Sequence, residues 1–231
     1  MSAMSLKELA LLKMRVRLVD QIKTDVPDFA IKRKSESLLM RLLSFVLFFN
    51  KGFMTKYIST VYPIVYVPDW WGFQKSREKT ELEILSHEYV HLYDRKRMGI
   101  LFNLLYLSPQ IFSLFAIGAL WNLSFLWFLL CLLPWPSPGR TWLEFRGYRM
   151  SFATIYWMRI AENPEIKEKH YTFLENCDIT LVIKQFTGSA YYFMFPFKGY
   201  LEKRFRQALL DIRDDKLSPE LLKIKSVVLN D

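Results

Sequence analysis

Two of the chain's three histidines stand four residues apart in the stretch His87-Glu88-Tyr89-Val90-His91. On a helix, residues i and i+4 share a face, so both imidazoles can reach one ion. Zinc takes histidine nitrogens at about 2.0–2.1 Å in roughly tetrahedral geometry. Glu88 follows the first histidine and can point at the open coordination position. There it would take a proton from a zinc-activated water. Five residues thus offer two ligands and a general base. The bland alternative is a helix carrying two histidines at its surface or satisfied in a core. The only other histidine is His170, so the pair is not drawn from a histidine-rich background.

A catalytic zinc needs a third protein ligand. Asp94 lies three residues after His91, close to the same face. One straight helix would have to strain to supply three ligands around a tetrahedral ion. Glu144, in Gly139-Arg-Thr-Trp-Leu-Glu144, lies on a separate expected helix and can approach from another direction. Glu144 is therefore the preferred ligand, and Asp94 becomes a candidate acceptor for a histidine N–H behind the metal shell.

These residues need elements to hold them. The pattern predicts a helix from about Glu78 to Met98, ended by Gly99. Ahead of it, Tyr57 to Pro68 is rich in β-branched and aromatic residues and reads as strand. Pro63 cannot donate a ladder hydrogen bond, so this is an edge strand or is split in two. An edge around Ile58 to Val67 would suit an extended peptide. Pro68 to Gly72 reads as a turn. A helix resumes at about Thr141 and carries Glu144. Upstream, residues 1–20 read as an amphipathic helix with Leu6, Leu9, Leu12, Val16 and Val19 along one stripe, closed by Pro27. Ser35 to Phe49 reads as a very apolar helix with a serine N-cap. The C-terminal third is mainly helical, interrupted by Gln185 to Gly199. The two tyrosines there, Tyr191 and Tyr192, and Tyr148 could stabilise an oxyanion, although aromatic packing is the commoner use.

From Met98 to Gly139 there are 42 residues without a charged side chain or a histidine. Ile111 to Leu133 is long enough to cross a bilayer once. One crossing would separate Glu144 from the histidines, and two ordinary crossings need about 40 apolar residues plus a turn. A helical hairpin over 100–134, broken near Gly118–Ser124 and mainly buried by protein, is the expectation. Contact with a membrane or a protein interface would then run through 101–134.

The 231 residues carry 52% hydrophobic and 16% aromatic side chains, enough for a substantial core. The net charge of +9 is uneven: residues 1–56 hold eleven Lys/Arg against five Asp/Glu. That region could meet an anionic membrane surface, nucleic acid or an acidic partner, but a solvated basic face is the simpler reading. No nucleic-acid motif is present, so no specific nucleic acid is expected. The first residues lack the continuous apolar run of a secretory signal. Cys131 and Cys177 form neither a disulfide framework nor a zinc site by their spacing. Ser189, Cys177 and His170 show no local nucleophile signature.

His-Glu-Tyr-Val-His at 87–91, then an apolar hairpin-sized segment, then Arg140-x-x-x-Glu144 on a helix, resembles the gluzincin clan of zinc metallopeptidases. The layout is similar to the membrane-associated HtpX-like branch, and also to a small stand-alone zincin. The resemblance covers about residues 57–158. It implies His87, His91 and Glu144 as zinc ligands and Glu88 as general base. The fold expected is α+β and mainly helical: a zincin-like core with an edge strand, the histidine helix, an apolar helical hairpin and a glutamate-bearing helix. By chain order this gives a basic helical region at 1–56, the core at 57–158 and a C-terminal helical region at 159–231. The function expected is a hydrolase, a zinc metalloendopeptidase acting on a peptide or protein substrate. The alternative is a structural or interaction protein, a component of a viral particle or membrane complex that keeps the scaffold without turnover.

Overall fold

The computed structural model describes residues 6–48, 50–72, 77–108, 129–130, 135–164, 172–191 and 193–230. The expected hairpin turn near Gly118–Ser124, and with it Cys131, His170 and Tyr192, lies outside them. The described chain is mainly helical with one small sheet, which agrees with an α+β, mainly helical class. The elements are α1 (Leu6–Asp25), β1 (Ala30–Arg33), α2 (Leu38–Val46), β2 (Ser59–Val61), β3 (Ile64–Val67), α3 (Glu78–Met98), α4 (Ile100–Leu107) and α5 (Pro138–Glu162). After them come α6 (Thr180–Thr187), a 3-10 turn (Ser189–Tyr191), α7 (Lys198–Arg213) and α8 (Pro219–Leu229). None of the described helices is long and apolar enough to cross a membrane.

The chain divides into two compact units. Unit 1 comprises Met1–Lys96, Met150–Pro164 and Ser218–Asp231, and unit 2 comprises Arg97–Arg149 and Glu165–Leu217.

Unit 1 holds the sheet, in strand order β1-β3-β2. β1 runs parallel to β3, Ala30 opposite Ile64, and β2 runs antiparallel to it, Thr60 opposite Val65. The expected strand over Ile58 to Val67 is therefore two strands around Tyr62-Pro63, as the missing N–H of Pro63 allows. Only β2 is an edge. β3 is paired on both sides, and Val65, Tyr66 and Val67 are buried.

The stripe expected on α1 is corrected by the structure. Leu9, Leu12 and Val16 are exposed, while Leu11, Met14, Leu18 and Ile22 are buried. Both sets recur at helical spacing, so periodicity alone cannot choose between them. The far end of the helix chooses: Asp25 accepts from Tyr89 Oη of α3 at 2.7 Å and from Lys223 Nζ of α8 at 2.5 Å. Those bonds fix the rotation of α1 and turn Ile22 and Leu18 inward. α1 and α8 pack together, so the two ends of the chain share one core.

α3 takes the expected span. Gly99 follows at φ +57, where a β-carbon would be strained. Arg15 of α1 pairs with Glu81 at 3.2 Å, and Glu81 accepts from the Gly72 N–H at 2.7 Å. These contacts tie the Pro68–Gly72 turn and α1 to the start of the histidine helix. α2 is shorter than expected, with Ser37 as its N-cap.

Unit 2 holds α4, most of the start of α5, and the C-terminal helices up to α7. α5 begins at Pro138 rather than Thr141, because proline is favoured where the first helical N–H has no partner to find. Gly139 lies so close to α4 that a β-carbon there would stand 2.8 Å from the Leu105 carbonyl oxygen. Ser137 Oγ donates to the Ser108 carbonyl, so two points of the uncharged stretch, one on either side of 109–136, meet. Phe186, Phe205 and Leu209 form part of this unit's core, Phe186 and Phe205 packing edge to face.

Candidate metal centre

α3 is buried on most of its circumference from Glu81 to Asp94. His87 and His91 are thus internal, 9% and 5% exposed. Their Nε2 atoms converge to 3.1 Å. Two nitrogens on one tetrahedral zinc, each about 2.05 Å from it, stand about 3.3 Å apart. The pair is therefore already spaced for a shared ion. His87 Nδ1 turns the other way, 3.5 Å from Ser151 Oγ on α5. A contact to the second ring nitrogen selects the tautomer that leaves Nε2 for a metal.

Glu144 on α5 completes a group of three. His87, His91 and Glu144 each offer one ligand atom within 4.8 Å of the others, and all three are buried. This buried His-His-Glu group could hold a metal ion. Its two nitrogens and one carboxylate oxygen suit a borderline divalent cation, zinc among them. Asp94 is buried on α3, 3% exposed, and is not a member of the group.

The carboxylate of Glu144 is held from its own unit. Tyr106 Oη, on α4, donates to Glu144 Oε1 at 2.5 Å. The Arg140 guanidinium stands 5.0 Å over the Tyr106 ring and 5.3 Å over Tyr191. Burial, followed by the Glu144 charge, pushes the Tyr191 phenol well above its ordinary range. Tyr191 is also 3.1 Å from Tyr148 through the two hydroxyls, and Tyr148 donates to Gln185 Oε1. Tyr148 and Tyr191, two of the three tyrosines singled out in the sequence, therefore belong to one aromatic and hydrogen-bonded cluster.

Glu88 is half-buried and faces the sheet. Its Oε2 accepts from Thr60 Oγ1 of β2 at 2.6 Å. The neighbouring residue on β2, Ser59, points the other way, as alternate strand residues do, and accepts from Lys34 Nζ at 2.8 Å. Lys34 is a fully buried lysine whose amine also donates to the Phe53 carbonyl at 2.6 Å and lies 4.0 Å over the Phe53 ring. Burial lowers its pKa to about 8, against the Glu88 charge, which raises it. Thr60, Lys34, Tyr106 and Ser151 were not legible as site residues in the sequence, and Arg140 stood there only as the start of the spacing to Glu144. A Thr or a Ser has no motif, and Lys34 and Tyr106 gain meaning only when the strand and α4 are placed.

The chain matches no family model, and no curated protein and no solved structure is significantly similar to it.

Proposed function

We propose that this chain is a zinc-dependent metallopeptidase built on a zincin-like core. The buried His87–His91–Glu144 group carries the reading. Support comes from Glu88, which adjoins that group in the chain and is not one of its three members: a merely structural ion would not need it. Zinc bound there would supply a Lewis acid and a water acidified to a pKa of about 7. His87 and His91 would hold the ion through Nε2, and Glu144 would close the set. Glu88 accepts the proton of the attacking water and hands it to the leaving amine. Thr60 restrains one oxygen of Glu88 and leaves the other for this exchange. The open edge of β2 receives an extended peptide by main-chain pairing.

The test has two parts. Metal content is measured in Glu144→Ala and Asp94→Ala side by side. Loss in the first and retention in the second is expected, and the reverse would replace the third ligand. Glu88→Gln should then keep its metal and lose peptide hydrolysis by about 10²–10⁴-fold, because the amide cannot take a proton. A metal-loaded wild type inert on a broad peptide library would favour the scaffold-without-turnover reading instead.

A further inference from the structure

We propose that α2 and the turn after it form a docking face for an anionic lipid surface. α2 carries apolar side chains on two faces. Met40, Leu43 and Leu47 point inward and pack with Phe53, Tyr66 and Ile64. That contact fixes the helix on unit 1 and leaves the other face outside the core. Leu38, Leu42, Phe45 and Val46 line this outer face at helical spacing and are 66%, 58%, 82% and 64% exposed, and Phe48 just beyond is 78% exposed. Isolated exposed leucines need no explanation, but a continuous face of this kind marks an interaction surface.

Charge selects the occupant. Between residues 29 and 68 the chain carries Lys32, Arg33, Lys34, Arg41, Lys51 and Lys56 against Glu36 alone. Lys34 is buried, but Arg41 is exposed on α2 itself, and Lys51 and Lys56 are exposed in the turn just after it. An apolar helix face bearing phenylalanine, with arginine on the same helix and lysines in the turn after it, matches the boundary between anionic headgroups and acyl chains. The helix is about 13 Å long by its rise per residue, far too short to cross a bilayer, so it lies along the surface. A second copy of the chain fits less well. A two-fold contact burying this face would bring together two like-charged surfaces, each carrying Arg41, Lys51 and Lys56 with no acidic residue between 37 and 68.

The test places an environment-sensitive NBD dye on Phe45→Cys in the full chain, with Cys131 and Cys177 replaced by serine. Thr24→Cys, exposed on α1, carries the dye as control. Vesicles are phosphatidylcholine with or without phosphatidylserine. Emission at 45 should shift to the blue and rise on anionic vesicles alone, and the dye at 24 should not respond. Raising the salt should weaken the response, because the attraction acts within a Debye length. Reversing Arg41, Lys51 and Lys56 to glutamate should weaken binding on the order of 100-fold. No response at 45, or an equal response on neutral vesicles, would overturn the proposal. So would a dye already shielded without vesicles: independently of concentration if the chain itself covers the face, or increasingly with concentration if a second copy does. Binding through another segment leaves the dye at 45 silent and is thereby told apart.

Discussion

At the residue scale the site turns on hydrogen bonds to carboxylates. Thr60 restrains the proposed base and Tyr106 restrains the proposed third ligand, each through one hydroxyl. Thr60→Val should leave metal content unchanged and lower kcat more than it raises KM, since it frees the base without touching the ligands. Equal metal content with unchanged kcat would show that Glu88 needs no such restraint. Tyr106→Phe should act on the metal instead. Losing a hydrogen bond behind a ligand typically costs about 10–100-fold in affinity, readable by competition with a chromophoric chelator. Lys34 gives a pH handle. Its amine titrates at about 8, depressed by burial and partly restored by the Glu88 charge. In the metal-free chain, the Lys34 side-chain carbon signal should therefore titrate near pH 8 by NMR. In Glu88→Gln the midpoint should fall further, because the charge favouring the ammonium is gone. A midpoint that stays put would mean that the two groups do not sense each other. The grouping of His87, His91 and Glu144 was legible in the sequence because a histidine spacing and a need for a ligand from elsewhere are local arguments. Thr60 and Tyr106 were not, because their partners lie 28 and 38 positions away.

At the element scale, α3 was legible to the residue and α1 only in outline. Caps and a terminal glycine mark helix ends in the sequence, whereas the rotation of a helix about its axis is set by what it meets. On α1 that is Asp25. Burial pushes its carboxyl up, but hydrogen bonds from Lys223, Tyr89 and Gln21 outweigh this and hold it below the ordinary carboxylate range. A depressed folded-state pKa adds stability above the unfolded value of about 3.9, and that stability is lost as pH falls through the folded value. Asp25→Asn should therefore unfold at lower temperature than wild type at neutral pH. The gap should close in acid, below pH about 4. A gap constant with pH would assign the loss to packing. Asp25→Ala should cost about 1–3 kcal/mol, since it strands the hydroxyl of fully buried Tyr89. On the other side, Gly139 permits the close approach of α5 to the Leu105 carbonyl. Gly139→Ala must push α4 away, and Tyr106 with it. Metal affinity should fall in the same direction as in Tyr106→Phe, although residue 139 touches no ligand.

At the scale of the whole molecule, neither unit is continuous in sequence. Unit 1 takes its last piece from Ser218–Asp231, where Leu221, Ile224 and Val228 are buried and Lys223 reaches Asp25. Deleting 218–231 should therefore do more than trim an end. It removes α8 from the core of α1, and unit 1 should lose its cooperative melting and the metal site with it. A shortened chain that still melts cooperatively and holds one metal would refute this. Chain order alone did not reveal the arrangement, because long-range closure of a core leaves no local signature.

The hydrogen bond from Ser137 to the Ser108 carbonyl joins points 29 positions apart. The uncharged stretch between them therefore enters and leaves at one spot. Topologically it is a cassette, clipped at its base. Replacing 109–136 with a few glycines and serines should therefore be tolerated, because shortening a closed loop lowers the entropy that folding must spend on it. The excised protein should still carry Tyr106 on Glu144 and bind its metal. Anything it then fails to do, in location or in partner choice, is the business of the cassette.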